Sequence, residues 1–272
     1  MNRKIRKLQF RKTSKIAIPF LIISSIIIVY LFFGTSLLAI KEIEIKKNKV
    51  GCADENQLKE STFLYGENFF LINTQNLTKN LLAKFICVKE INLSRSFPDK
   101  VRLEFIGREP AASVINLQKN EASISAFITN VATPSAEQIK EAYLVDNEGI
   151  VFAKLESELN IPKIYADDLS FKERSLKNDL LTDCLKILDK ARTFGLDVRD
   201  TWIKDDVFLI NPSAGGPKII FRLDNTIDIQ IASLQLILQK AKIDESRLEL
   251  IDLRFDKPVV RFAPKKIVYG ER

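Results

Sequence analysis

The sequence predicts an α+β protein in three parts: an N-terminal transmembrane helix, a small β-α-α-β-β domain, and a strand-rich β domain with two helices. Three observations predict it. Residues 16–40 are 25 consecutive positions without a charged side chain. Residues 41–110 carry two helical repeats set among strand-like alternation. Beyond Pro110 short apolar runs bounded by turn residues dominate, with two further helical repeats between them.

The apolar run is long enough to cross a bilayer, which needs about 20 residues at ~1.5 Å each. It is rich in Ile, Leu and Phe, and Pro19 lies near its start, where a missing backbone donor costs least. The preceding tail, residues 1–15, holds Arg3, Lys4, Arg6, Lys7, Arg11, Lys12 and Lys15 and no acid. The far flank is mixed, with Lys41, Glu42, Glu44, Lys46 and Lys47. The positive-inside rule then places the N-terminus in the cytoplasm and the remaining chain outside. A cleaved signal peptide would have a shorter apolar stretch ending in small residues, whereas this one closes Leu37-Leu38-Ala39-Ile40. An uncleaved anchor is expected.

The chain has 42 basic and 35 acidic side chains, so outside the seven basic residues of the tail the charges balance. The excess suits attraction of the tail to an anionic leaflet, at about 1 kcal/mol per basic residue. It does not suit a nucleic-acid protein, whose basic charge sits on the folded part. Residues 41–272 number 232, room for two modest domains. An apolar content of 46% with 28% charged residues excludes a disordered chain. Of three cysteines at least one is unpaired. A Cys52–Cys87 bridge is open, with small buried thiols the favoured reading, and Cys184 falls on the apolar face of a helix.

Ala39 to Lys46 sets Ile40, Glu42 and Glu44 against Lys41, Ile43 and Ile45 and predicts a strand. Gly51 and Asp54 mark a turn into a helix over about 55–64, with Leu58 and Phe63 inward. Phe69 to Ile72 is a short apolar segment, and a second helix from Thr74 aligns Leu77, Leu81, Leu82 and Phe85. Strands at Val88–Ser94 and Val101–Ile106 flank the turn Phe97-Pro98-Asp99-Lys100. In the second domain, Ala112–Leu117 and Ile124–Thr129 read as strands. Tyr143–Val145 and Ile150–Phe152 form a hairpin around Asp146-Asn147-Glu148-Gly149. Ile161-Pro162 begins an extended link. A helix follows over 171–194, through Leu176, Leu180, Leu181, Cys184, Leu188 and Ala191, capped by Gly195. Strands are expected at Trp202–Lys204, Val207–Ile210 and Lys218–Leu223, and a helix over 226–242 through Ile227, Ile231, Leu234, Leu238 and Ala241. The last pair is Leu248–Phe255 and Val259–Phe262 around Asp256-Lys257-Pro258.

The chemistry-bearing patterns are weak. With no histidine, the commonest general base, the usual zinc sites and the Ser-His-Asp and Cys-His arrangements are missing. Ser-x-x-Lys, Cys-x-x-Cys and a phosphate-cradling glycine loop do not occur. Asp167-Asp168 and Asp205-Asp206 fall in predicted turns, where aspartate bonds the local backbone. Trp202 reads as core, and Arg95, Arg108 and Glu109 as ion-pair formers. No catalytic residue, cofactor site, metal site or small-molecule substrate is expected.

The elements and several short motifs resemble the FtsQ/DivIB family of bacterial cell-division proteins. Gly66-Glu67-Asn68-Phe69-Phe70-Leu71-Ile72 is similar to the family's Gly-x-Asn-Leu-Phe-x-Leu stretch. Val88-Lys89-Glu90-Ile91 through Arg95-Ser96-Phe97-Pro98-Asp99 resembles its hairpin, and Arg108-Glu109-Pro110-Ala111-Ala112 its Arg-x-Pro-x-Ala exit from the POTRA domain. Leu144-Val145-Asp146 with Gly149-Ile150-Val151-Phe152, and Ile251-Asp252-Leu253-Arg254-Phe255, resemble two β-domain motifs. The resemblance implies a cytoplasmic tail over 1–15, an anchor over 16–40, a POTRA domain over 41–110, an FtsQ-type β domain over 111–263 and a tail over 264–272.

It also implies a non-catalytic scaffold of the divisome in the cell (inner) membrane at the septum. Its partners would be FtsB/DivIC-like and FtsL-like bitopic proteins, held by strand addition at the last strands. Carried onto this chain, the contact residues are Ile251, Asp252, Leu253, Arg254, Phe255, Val259, Val260, Arg261 and Phe262, with Arg254 and Phe255 first. Pro258 suits the turn, since it cannot donate a backbone bond. Two other function classes fit less well. A secretion or envelope-assembly component would carry several POTRA repeats or a β-barrel. A membrane-anchored cell-wall enzyme would need a polar cleft with convergent titratable groups.

Overall fold

The computed structural model describes residues 19–27, 30, 38–118, 128, 134–167, 179–212, 216–243 and 248–262. The chain divides into two compact units, Met1–Gly107 and Arg108–Arg272. Residues 19–27 and 30 are helical, and the rest of the expected anchor up to residue 37 lies outside the described residues. Among the described residues no helix is long and apolar enough to cross a membrane.

In the first unit β1 (Glu42–Asn48) is followed by helices α1 (Glu55–Glu60) and α2 (Thr74–Lys84), then β2 (Val88–Ser96) and β3 (Lys100–Gly107). The sheet order is β1-β3-β2, with β1 parallel and β2 antiparallel to the central β3. Strict alternation makes this work: Val101, Leu103 and Phe105 point to one face of β3 and are fully buried, while Arg102 is exposed. Ile43, Ile45, Leu58, Leu64, Phe69, Leu81 and Ile91 are buried with them in this unit. Asn73 caps α2 by accepting from the Asn76 amide at 3.0 Å, and the Gln57 side chain accepts from the Asp54 amide at 3.2 Å at the start of α1.

Three expectations for this unit need correction. Helix α1 stops at Glu60, where the amides of Thr62 and Phe63 turn to the carbonyls three residues back, Lys59 and Glu60, and the Thr62 hydroxyl also donates to the Lys59 carbonyl. Phe63, expected inward, takes a positive φ of 51° and is 81% exposed; Leu64 is buried in its place. Cys52 and Cys87, favoured as free thiols, are joined in a disulfide with a Cα–Cα distance of 6.1 Å. Cys52 follows β1 and Cys87 precedes β2, so the bridge closes the two ends of the helical layer.

Gly107 is where β3 passes closest to the chain leaving β1. A Cβ there would sit 2.0 Å from the Lys49 carbonyl oxygen and 2.6 Å from its carbon, both backbone. Gly107→Ala is therefore expected to destabilise this unit by about 1–3 kcal/mol, the usual range for overpacking. A urea melt of the variant would check it, and a midpoint unchanged from wild type would refute the close approach.

Among the described residues of the second unit, nine strands form one sheet of order β12-β11-β10-β9-β8-β7-β4-β5-β6. The strands are β4 (Ala112–Leu117), β5 (Ile139–Val145), β6 (Val151–Lys154), β7 (Lys163–Asp167), β8 (Val198–Lys204), β9 (Val207–Pro212), β10 (Lys218–Arg222), β11 (Leu248–Asp252) and β12 (Val259–Phe262). Helix α3 (Asp179–Thr193) precedes β8, and α4 (Ile227–Ile243) precedes β11. Both helices contribute to one apolar cluster with the sheet, α3 through Leu181, Cys184 and Leu188, α4 through Ile227, Ile231 and Leu234. Alternation along β9 feeds two clusters: Phe208 and Ile210 join the helices, while Val207 and Leu209 pack with Ile115, Tyr165, Trp202 and Ile220. A sheet apolar on both faces reads as a continuous run rather than an alternating one. Trp202 is core as expected, with its ring stacked on Tyr165 at 5.4 Å. Burial pushes the Tyr165 hydroxyl up to about 12, with Asp200 adding to the effect. Gln230 is buried and ties α4 to β10 by bonding both the amide and the carbonyl of Arg222 at 2.9 Å.

Here too the sequence reading needs correction. The extended link after Pro162 is β7, a central strand parallel to both β4 and β8. Asp167 closes that strand rather than a turn, and Lys204 pairs with it at 3.4 Å. The expected strand Leu248–Phe255 ends at Asp252. The expected strand at 124–129 lies outside the described residues apart from residue 128, and so do the first turns of the expected helix at 171–178.

Candidate partner-binding edge

The residues that the resemblance singles out converge on one end of the nine-stranded sheet. β11 lies parallel to β10, in register Ile219 to Ile251 and Ile220 to Asp252. The Leu253 amide extends that register by donating to the Ile220 carbonyl at 2.8 Å. β12 returns antiparallel, pairing Val259 with Asp252, Val260 with Ile251 and Arg261 with Leu250, with an irregularity before Phe262 meets Leu248. Among the described residues no strand lies on the far side of β12. Its outer edge can thus offer backbone donors and acceptors to an added strand.

The nine side chains divide by burial. Ile251 and Leu253 are buried in the helix-side cluster, and Val260 packs against it, so these three hold the edge in place. Asp252 is 7% exposed and binds Arg254: its Oδ1 accepts from the Arg254 amide at 3.1 Å and from Nε at 2.9 Å, and Oδ2 from Nη2 at 2.7 Å. This forked pairing raises the Arg254 guanidinium pKa above its ordinary value and fixes the turn after β11. Arg254 is thus already committed within the chain, and its guanidinium carbon lies 5.5 Å from the Phe255 ring centre. The free apolar surface belongs to Phe255, Val259 and Phe262, exposed by 53%, 52% and 55%, with Arg261 exposed among them.

The resemblance implies both these residues and strand addition at the last strands; the strand order adds which side of the sheet they close. No local pattern states that β12 is the last of nine strands. Ile229 and Leu236 on α4 are 68% and 67% exposed, outside the buried stripe of Ile227, Ile231 and Leu234.

Other chemistry is sparse. No group of three or more His, Cys, Asp or Glu side chains that could hold a metal ion occurs among the described residues. An open cleft by Asn160 and Arg192 brings together Glu158 with Lys163 and Asp197 with Arg199, paired at 2.6 Å and 3.6 Å. The Lys163 ammonium holds the Glu158 carboxyl below its ordinary range.

Residues 38–104 match a family model described as "POTRA domain, FtsQ-type". No curated protein matches the chain. The matched span covers β1, both helices, β2 and most of β3, so the domain match and the β-α-α-β-β geometry coincide. Such a domain suggests a division-associated scaffold of a non-catalytic kind. The chain carries an FtsQ-type POTRA domain, consistent with a protein of the FtsQ/DivIB family.

Proposed function

We propose that this protein is a non-catalytic scaffold of the bacterial divisome, anchored once in the cell membrane with both folded units outside the cytoplasm. The observation that carries the reading is the FtsQ-type POTRA domain at residues 38–104. Two features support the topology: the seven basic residues ahead of an uncharged run of 25, and the Cys52–Cys87 disulfide, a bond that persists in oxidising compartments. The partners are FtsB/DivIC-like and FtsL-like bitopic proteins, and the contact is strand addition along β12. Val259, Phe262 and Phe255 supply apolar contacts around the backbone pairing, and Arg261 favours an acidic residue in the added strand.

The test is titration of the full chain, in detergent micelles, with the extracytoplasmic segment of the FtsB/DivIC-like protein of the same cell. Wild type is expected to bind, and Phe262→Glu to weaken binding by about 10-fold or more, the loss of a well-seated apolar anchor. Val260→Pro would add a second probe, because proline removes a donor from the strand without adding charge. Equal affinity of the folded variants and wild type would move the site away from β12. No binding by folded wild type would remove the proposed partner.

A further inference from the structure

We propose that Phe70, Leu71 and Phe97 dip into the outer leaflet and seat the first unit on the lipid surface beside the anchor. The inference rests on the reading of residues 16–40 as membrane-spanning.

The three side chains are conspicuous. Leu71 is 64% exposed, Phe97 71% and Phe70 47%, around a buried Phe69. The rings of Phe70 and Phe97 meet that of Phe69 edge-on at 5.3 Å and 6.4 Å, so side chains from two separate loops form one patch. Solvent-facing groups of large apolar side chains mark interaction surfaces.

The chain path says what covers them. The uncharged run ends at Ile40, and the residues that end it are hydrogen-bonded to both loops of the patch. The Phe69 amide donates to the Leu38 carbonyl at 2.8 Å, the Ile40 amide to the Glu67 carbonyl at 2.9 Å, and the Gly66 amide to the Ile40 carbonyl at 3.1 Å. On the other side the Lys41 amide donates to the Asp99 carbonyl at 3.0 Å, two residues beyond Phe97. Strand direction agrees. β1 begins at Glu42 beside Lys100 of β3, which in turn faces Ser96 of β2. The sheet end nearest the apolar run is therefore the end that carries the Phe97 turn. Leu38 and Ile40 are buried in the first unit, so the part of the run left to span the membrane ends before Leu38, which leaves the patch no more than a few residues' length from the bilayer surface.

The chemistry also suits an interface. Phe and Leu are among the apolar side chains by which surface-bound segments enter the boundary between headgroups and acyl chains. Charged groups next to the two loops are paired within the unit. Arg95 donates to the Ile72 carbonyl at 3.0 Å, and Lys41 pairs with Asp99 at 3.5 Å. Lys100 pairs with Glu42 and Glu44 at 2.8 Å and 3.4 Å.

The experiment places one extra tryptophan at a time in the full chain and reconstitutes it in nanodiscs of phosphatidylethanolamine and phosphatidylglycerol. Part of the lipid is replaced by a phosphatidylcholine brominated high on its acyl chains. Trp202, the sole native tryptophan, is buried in the second unit, and its signal is subtracted using wild type. Leu71→Trp and Phe97→Trp are expected to lose about half of their emission to the bromine, given side chains ~5–10 Å into the headgroup boundary. Glu90→Trp, at the opposite end of β2, should keep its emission. Tyr30→Trp, inside the uncharged run, reports on the anchor itself. If Tyr30→Trp is quenched while positions 71 and 97 are not, the lipid contact is wrong and the anchor stands. If Tyr30→Trp is not quenched, the anchor reading fails and the proposal fails with it.

Discussion

Arg108→Ala is expected to destabilise the second unit by about 3–5 kcal/mol, the cost of leaving a buried charge without its partner. Asp146 is 1% exposed and lies at the start of the β5–β6 turn. Its Oδ1 accepts from the amides of Glu148 at 3.0 Å and Ile150 at 2.9 Å, which shapes the turn around Gly149 at φ 79°. Its Oδ2 receives the Arg108 guanidinium, which also reaches Glu148 at 3.1 Å and is itself largely covered. Removing the arginine leaves this buried carboxylate without a counter-charge, held only by the two turn amides. Trp202 lies in the same unit, so its fluorescence during urea unfolding reads this effect. Arg108→Lys should lie between, because an ammonium lacks the planar fork. Removing both charges, Arg108→Ala with Asp146→Asn, should recover part of the loss, since no uncompensated charge remains. A single variant within 1 kcal/mol of wild type would show the pair to be dispensable.

That ion pair also explains something about the sequence. The Arg108-Glu109-Pro110 exit and the Asp146 hairpin are separate motifs in the chain, yet they are the two halves of one interaction. Motifs of this kind are legible because turn chemistry and charge are local. So are the amphipathic stripes of α3 and α4 and the alternation of β3, which place Leu181, Ile231 and Leu103 inside.

What escaped the sequence depended on partners far along the chain. The five residues Lys163–Asp167 are too few to announce a strand, and Pro162 before them suits a link. They are a strand because Ser113–Leu117 and Asp200–Ile203 flank them in parallel register. Parallel pairing leaves no hairpin signal between neighbours. Phe63 was misplaced for a different reason. Apolar spacing favours one more helical turn, but the amides of Thr62 and Phe63 bond three residues back, to Lys59 and Glu60, and Phe63 takes a positive φ, which turns its side chain out. Asp252 ended its strand by binding Arg254. The candidate edge was therefore readable as a set of residues. What the strand order and burial add is that Phe255, Val259 and Phe262 are exposed where β12 lies last among the described strands.

Removing the Cys52–Cys87 bridge is expected to cost the first unit about 3–4 kcal/mol, as the chain-entropy relation gives for a loop of some 35 residues. The loop contains both helices, α1 and α2, whose burial is modest: Leu58 and Leu81 are the buried residues of each. A small domain with a limited core depends heavily on such a cross-link. The loss arises mainly in the unfolded chain, which without the bridge gains the freedom to separate β1 from β2. Cys52→Ser with Cys87→Ser should lower the melting temperature of this unit by roughly 15 °C or more, at ~4–8 °C per kcal/mol for a domain of this size. Reductant should have a similar effect on wild type and none on the variant, because Cys184, the one cysteine left, is already a free thiol with nothing to reduce. Alkylation of the native protein followed by mass spectrometry gives an independent reading. Cys52 and Cys87 should resist modification until reduced, and the second unit, followed through Trp202, should melt unchanged in all samples. If reductant leaves the melting of the first unit where it was, the bridge does not hold the two ends of its helical layer together. The same measurement on protein taken directly from cells bears on topology: an oxidised pair is what an extracytoplasmic domain should carry, and a reduced pair would place the first unit on the cytoplasmic side.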